Sequence, residues 1–164
     1  MTADQDEELA RLIALSKDSS KRGRRQLFSN ISDLFLHDKE RLSEQEQALI
    51  IGIMTKLLSE IETTIRQNLA EELAGLEDVP HGLITLLAND EIEVARPILF
   101  KSHLLAEPDL VEIIQNRSKE HLLAIAERDD LNAVVSDLLI SHGDEDVISH
   151  LIENGVKPIQ KNIK

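Results

Sequence analysis

The sequence contains no cysteine, no tryptophan and no tyrosine. Without cysteine there is no disulfide, no thiolate metal site and no cysteine nucleophile, a composition that fits a reducing compartment. The aromatic residues are Phe28, Phe35 and Phe100. A single-stranded nucleic acid would therefore lack the usual aromatic stacking platform, and the core must be built from Leu, Ile, Val and Ala. Positive charge is also scarce, with 18 Lys and Arg against 31 Asp and Glu and a net charge of −13. Phosphate binding needs a local excess of bases; this acidity instead favours solubility and repels anionic membranes. No run reaches the roughly 18 consecutive apolar residues of a membrane-spanning helix. The acidic, polar start from Met1 to Glu8 lacks the basic and then apolar pattern of a secretory signal. Cytoplasm is the expected compartment.

What is present is helical periodicity over a chain whose 164 residues suit one domain and whose 41% hydrophobic content suffices for a core. Leu9, Leu12, Ile13 and Ser16 mark a first amphipathic segment, and Leu27, Phe28, Ile31, Leu34 and Phe35 a second. The clearest stripe is Ile50, Ile53, Met54, Leu57, Leu58 and Ile61. Ser43 followed by Glu46 reads as a capping box before it: the hydroxyl accepts from the third amide and the carboxylate reaches back to the cap amide. Ile65, Leu69 and Leu73 continue the pattern, Gly75 suits a stop, and Pro80 and Pro108 suit first turns. Asn89 and Asp90 break one segment. Pro97, inside the next, either kinks it or sits in its first turn. Three further segments centre on Leu122 to Ala126, Leu131 to Leu139 and Val147 to Ile152, with Gly143 and Gly155 where C-caps belong. No period-two alternation is sustained, so no sheet is expected.

Internal repetition accompanies this pattern. An acidic start, a branched residue and an apolar residue four positions later recur at Ile65 to Leu69, Val94 to Ile98 and Val147 to Leu151, and more weakly at Leu122 to Ala126. The branched anchors are 29, 28 and 25 residues apart, which fits one helix pair per unit in a solenoid-like stack, each pair burying the face its neighbour cannot cover alone. The acids suit the positive ends of the second helices.

The segments Ile65 to Ala74, Glu93 to Leu99, His121 to Arg128 and Val135 to Asp144, in that order, resemble an uncharacterised bacterial domain family, mostly alphaproteobacterial, built of HEAT-like repeats. The likeness runs over residues 8 to 155. It implies a fold and carries no activity. The expected fold class is all-α: a right-handed stack of antiparallel helix pairs, HEAT/armadillo-like, with about nine to ten short helices and no sheet. Residues 1–155 are expected to form a single helical-repeat domain. Residues 156–164 are a basic tail, either disordered or the start of a further segment, and members of the family often continue beyond this point.

Candidate sites are few. Lys17, Lys21, Arg22, Arg24 and Arg25 form one basic island in an acidic chain. They offer a dock for an acidic partner, a phosphorylated segment or nucleic acid, or else a solvated helix start or a pairing with the protein's own acidic surface. Arg66, Arg96 and Arg128 recur near the anchors; they can bind carboxylates or phosphates on a concave face, or tie each repeat to an acid of the next. The six histidines are scattered. His142, Asp144, Asp146 and His150 form a local cluster, but Gly143 interrupts it and no metal site is expected. The acids at 144 to 146 lack the alternation and central glycine of a calcium loop. No phosphate loop, dinucleotide fingerprint or nucleophile elbow occurs.

The expectation is a non-catalytic protein–protein interaction module without a cofactor. Lys21, Arg22, Arg24 and Arg25 would form one contact surface, and Arg66 and Arg96 part of a second. Nucleic-acid binding through residues 17–25 and a small-ligand or metal sensor are the alternatives.

Overall fold

Ser43 ends one turn and starts the longest apolar stripe. Its Oγ accepts from the Glu46 amide at 3.1 Å and its own amide donates to Glu46 Oε1 at 3.0 Å, the reciprocal cap expected from the sequence. The Ser43 amide and hydroxyl hold the Glu46 carboxyl below its ordinary range.

The computed structural model describes residues 3–17 and 20–155; the basic tail lies outside the described residues. Among them are ten α-helices and no strand: α1 Ala3–Ser16, α2 Lys21–Asp38, α3 Glu44–Leu58, α4 Thr63–Ala74, α5 His81–Ala88, α6 Ile92–Lys101, α7 Glu107–Asn116, α8 Lys119–Ala126, α9 Ala133–His142 and α10 Glu145–Glu153. None is long and apolar enough to cross a membrane. The chain divides into two compact units, residues 1–66 and 67–164, with the boundary inside α4.

In the first unit α2 packs against α1 and α3. Leu27, Phe28, Ile31, Leu34 and Phe35 meet the stripe of Ile50, Met54, Leu57 and Leu58, all at most 5% exposed. Ile61, buried as its periodicity suggests, lies beyond the end of α3. Ile13 breaks the first segment's pattern and is largely exposed. Ser20 Oγ accepts from the Gly23 amide at 3.1 Å, giving α2 a start that satisfies an otherwise orphan donor.

In the second unit the helices pair in order, α5 with α6, α7 with α8 and α9 with α10. The second helices also pack in a row, α6 on α8 and α8 on α10, while α7 packs on α9. Contacts between successive pairs repeat: His81 with Asp109, Asn89 with Arg117, His103 with Asp130, Glu107 with Asn132 and Lys119 with Asp146. These separations of 25 to 28 residues match the spacing of the branched anchors.

Prolines and glycines act through specific geometry. Pro80 is the residue before α5 and Pro108 sits in the first turn of α7. Pro97 lies in the interior of α6; lacking an N–H, it leaves the Glu93 carbonyl without its intrahelical donor. Gly155, at φ 81°, ends α10 in the left-handed region. Gly143 ends α9 in extended backbone, φ −87°, so it is not a left-handed cap. A Cβ there would stand 2.5 Å from the Leu139 carbonyl oxygen and 2.6 Å from Val147 Cβ. Close approach, not backbone freedom, is what requires glycine at that position.

Candidate functional surfaces

The basic island begins α2. Arg24 Nε lies 2.9 Å from Glu60, Arg25 Nη2 2.7 Å from Glu62 and Lys21 Nζ 3.4 Å from Glu62. Arg22 and Lys17 are exposed. Lys21, Arg24 and Arg25 therefore pair with acids at the turn between α3 and α4. Beside it α2 and α3 enclose a groove of about 270 Å³, lined by Leu27, Ile53 and Leu57 with Arg24, Lys56 and Glu60.

Within the second unit a larger groove of about 470 Å³ lies between α4 and α6. Gln67 and Glu71 form one wall; Glu93, Arg96, Pro97, Phe100 and Lys101 form the other. Phe100 is 45% exposed, whereas the other two phenylalanines are core residues. Positions 93, 96, 97, 100 and 101 share one helical face.

The three recurring arginines part company. Arg96 is exposed on this groove. Arg66 is buried, with Nη1 donating to the Ile61 carbonyl, so most of its surface is turned into the fold rather than onto an exposed face. Arg128 is 1% exposed. It donates to Leu99 O at 2.6 Å and Ser102 O at 2.7 Å, and its Nε and Nη2 fork onto Asp130 at 2.8 and 2.9 Å. The acid it pairs with is two residues away, while its tie to the preceding pair is to carbonyls at the end of α6. Asn154, 26 residues later, repeats this device: its Nδ2 donates to Ala126 O and Arg128 O at the end of α8. Orphan carbonyls of one second helix are thus satisfied by the next.

His121 is buried and likewise structural. Its Nε2 lies 2.8 Å from Asp90 O and its Nδ1 2.7 Å from Ser118 Oγ. A carbonyl only accepts, so Nε2 carries the proton and Nδ1 accepts the hydroxyl of the α8 cap.

The cluster at residues 142 to 150 is dispersed. His142 and His150 each place Nδ1 on the carbonyl four residues earlier. Lys119 Nζ sits between Asp144 and Asp146 at 2.7 and 2.6 Å, raising the lysine above its ordinary range and holding Asp144 below its own. A different group comes together: His103, Asp129 and Asp130, all exposed, have donor atoms within 4.8 Å of one another. Asp130 is held below the ordinary carboxylate range mainly by its hydrogen bonds from Arg128. Residues this far apart in sequence give no local spacing signal, so sequence reading missed the group. It also missed Phe100, which it took as one aromatic among three.

Neither a curated protein nor a solved structure matches the chain. Residues 94–161, from within α6 through α10 and including Arg96, Phe100, Arg128 and Asn154, match the model of a family described as an uncharacterised protein conserved in bacteria (DUF2336).

Proposed function

We propose that this chain is a non-catalytic protein–protein interaction module, a cytoplasmic scaffold or adaptor, and that the groove between α4 and α6 is one of its contact surfaces. The observation that carries this reading is the exposed Phe100 set beside Arg96 and Lys101 over Pro97. Aromatic and arginine side chains are enriched where partners dock. Stacked helix pairs with repeated ties between them give such a surface a rigid backing.

Affinity capture from lysate at physiological salt, read by mass spectrometry, tests the proposal with wild type and a Phe100→Ala/Arg96→Glu variant. Both side chains are exposed, so circular dichroism should show an intact fold. A specific protein held by wild type and lost by the variant is expected. Equal recovery by both would move the site elsewhere, and nothing above control with wild type would count against the module itself.

A metal-sensor reading has one observation in its favour, the convergence of His103, Asp129 and Asp130. Against it, Arg128 already donates to both Asp130 oxygens and places a positive charge beside the would-be ion. A thermal shift with Zn2+ that His103→Ala abolishes would favour the sensor; a flat response would remove it. Nucleic-acid binding has less support, because the chain has a net charge of −13 and no tryptophan or tyrosine on which a base could stack.

A further inference from the structure

α3 carries no charged residue from Gln47 to Thr55, in a chain where 30% of residues are charged. A helix with one buried face normally carries charge on the other. Here Ile50 and Met54 enter the core, but Ala48, Leu49, Gly52 and Thr55 are exposed and Ile53 is only half-buried. Leu49, at 64%, is the most exposed of the large apolar side chains among the described residues. Exposed Leu49 and half-buried Ile53, at i and i+4, make a row about 6 Å long at 1.5 Å per residue, followed at i+8 by Leu57, which is 2% exposed and belongs to the core. Its far end opens into the groove between α2 and α3. A Cβ on Gly52 would meet nothing within 4 Å, so a neighbouring backbone can come close beside the row.

Positive charge gathers at the groove end of the row, while Glu46 lies one turn before Leu49 at the other end. Lys21, Arg22, Arg24 and Arg25 lie at the start of α2, and Lys56 and Arg24 line the groove itself. Glu60 and Glu62 answer only part of this, so the region reverses the sign of a chain whose net charge is −13.

We propose that this α2–α3 face docks an acidic amphipathic helix of a partner protein. Apolar residues at i and i+4 of that helix lie along Leu49 and Ile53, the helix-in-groove mode. Its carboxylates face Arg22, Arg25 and Lys56. Exposed ion pairs are weak, so partner carboxylates exchange for Glu60 and Glu62 at little cost. An apolar row gives nothing to a phosphate backbone and no aromatic lies along it, which disfavours nucleic acid as the occupant. The proposal stands apart from the α4–α6 groove and does not rely on it.

The test is fluorescence anisotropy of the full chain with a labelled designed helix about four turns long, with leucines on one stripe and glutamates elsewhere. Controls are the same peptide with every glutamate replaced by lysine, and a single-stranded DNA of similar length. The acidic peptide should bind with a Kd of about 1–100 μM, and the lysine peptide and the DNA at least about tenfold more weakly. Leu49→Asp changes only an exposed position and should weaken the acidic peptide by about tenfold or more; Arg22→Glu/Arg25→Glu should do the same with a flatter salt dependence. No binding of the acidic peptide, equal binding of the lysine peptide, tighter binding of DNA, or indifference to Leu49→Asp would each overturn the proposal. So would sedimentation showing a dimer of the chain alone that Leu49→Asp dissociates, since the face would then belong to a second copy.

Discussion

Arg128 should be the side chain whose loss destabilises the second unit most specifically. Arg128→Met keeps the aliphatic stem and removes the guanidinium. Four hydrogen bonds disappear, two to the carbonyls of Leu99 and Ser102 and two to Asp130. Leu99 O belongs to the last turn of α6 and has no helical amide to accept; Leu99 and Ser102 are both 0% exposed, so water cannot easily take the place of the donor. A buried acceptor stripped of its partner costs about 1–3 kcal/mol. Asp130 retains 39% of its side-chain exposure and regains water, so its share is small. Relief from burying a guanidinium offsets part of the loss. The net expectation is about 3 kcal/mol, toward the lower end of the range for breaking a buried pair. With a urea slope of about 2 kcal/mol per molar, the midpoint should fall by about 1.5 M. Arg96→Met, at an exposed position, should stay within about 0.5 kcal/mol of wild type. A fall of less than about 0.5 M for Arg128→Met, or one no larger than that for Arg96→Met, would refute the reasoning, because the carbonyls would then have found other donors.

Two glycines should respond with opposite signs. Gly143→Ala drives a methyl into the Leu139 carbonyl and Val147 and should cost about 2–3 kcal/mol in a chemical melt; an unchanged midpoint would mean the turn opens freely. Gly52→Ala lies mid-helix in open space and should stabilise by about 1 kcal/mol. Ser136 is 2% exposed and its hydroxyl has no partner among the described residues, so Ser136→Ala should raise stability by about 0.5–1 kcal/mol, and a clear loss would reveal a partner. Asp130 gives a pH signature. Its folded pKa is depressed, mainly by Arg128; its stabilisation is therefore present above the ordinary value of 3.8 and lost as pH falls through the folded value. The gap in urea midpoint between wild type and Asp130→Asn should narrow on acidification below that value, and a gap constant down to about pH 2 would contradict the assignment.

What could be read from the sequence was what is local or periodic. The Ser43–Glu46 cap spans three residues and depends on two side chains with one purpose, so its pattern is nearly its geometry. The second core stripe, Leu27 to Phe35, is buried throughout because adjacent turns of one helix share one face. The helix-pair spacing was legible for the same reason, repeated at a longer period. The identity of the side chains that join the pairs was not. Arg128 and Asn154 do the same work at the ends of α6 and α8, yet one is a cation and the other a neutral amide. Any donor able to reach an orphan carbonyl suffices there, so chemistry is shared while residue type is not. Arg66 and Arg96 show the converse: the same residue near equivalent anchors, one turned inward onto backbone and the other left on a groove.

The basic island and α3 show where periodicity stops being informative about function. A cluster of bases announces charge, but whether that charge is available depends on Glu60 and Glu62, which approach it only after the chain has folded back. In α3 the apolar stripe was read as a single core face. Yet Leu49 belongs to no buried row, and the absence of any charge between Glu46 and Lys56 is what a helix with two faces to cover requires. One face is already covered, by α2. The other is open beside Gly52, exposes Leu49 and ends at Arg24 and Lys56. An acidic amphipathic helix, as proposed, would bring apolar side chains to Leu49 and negative charge to Arg24 and Lys56 together.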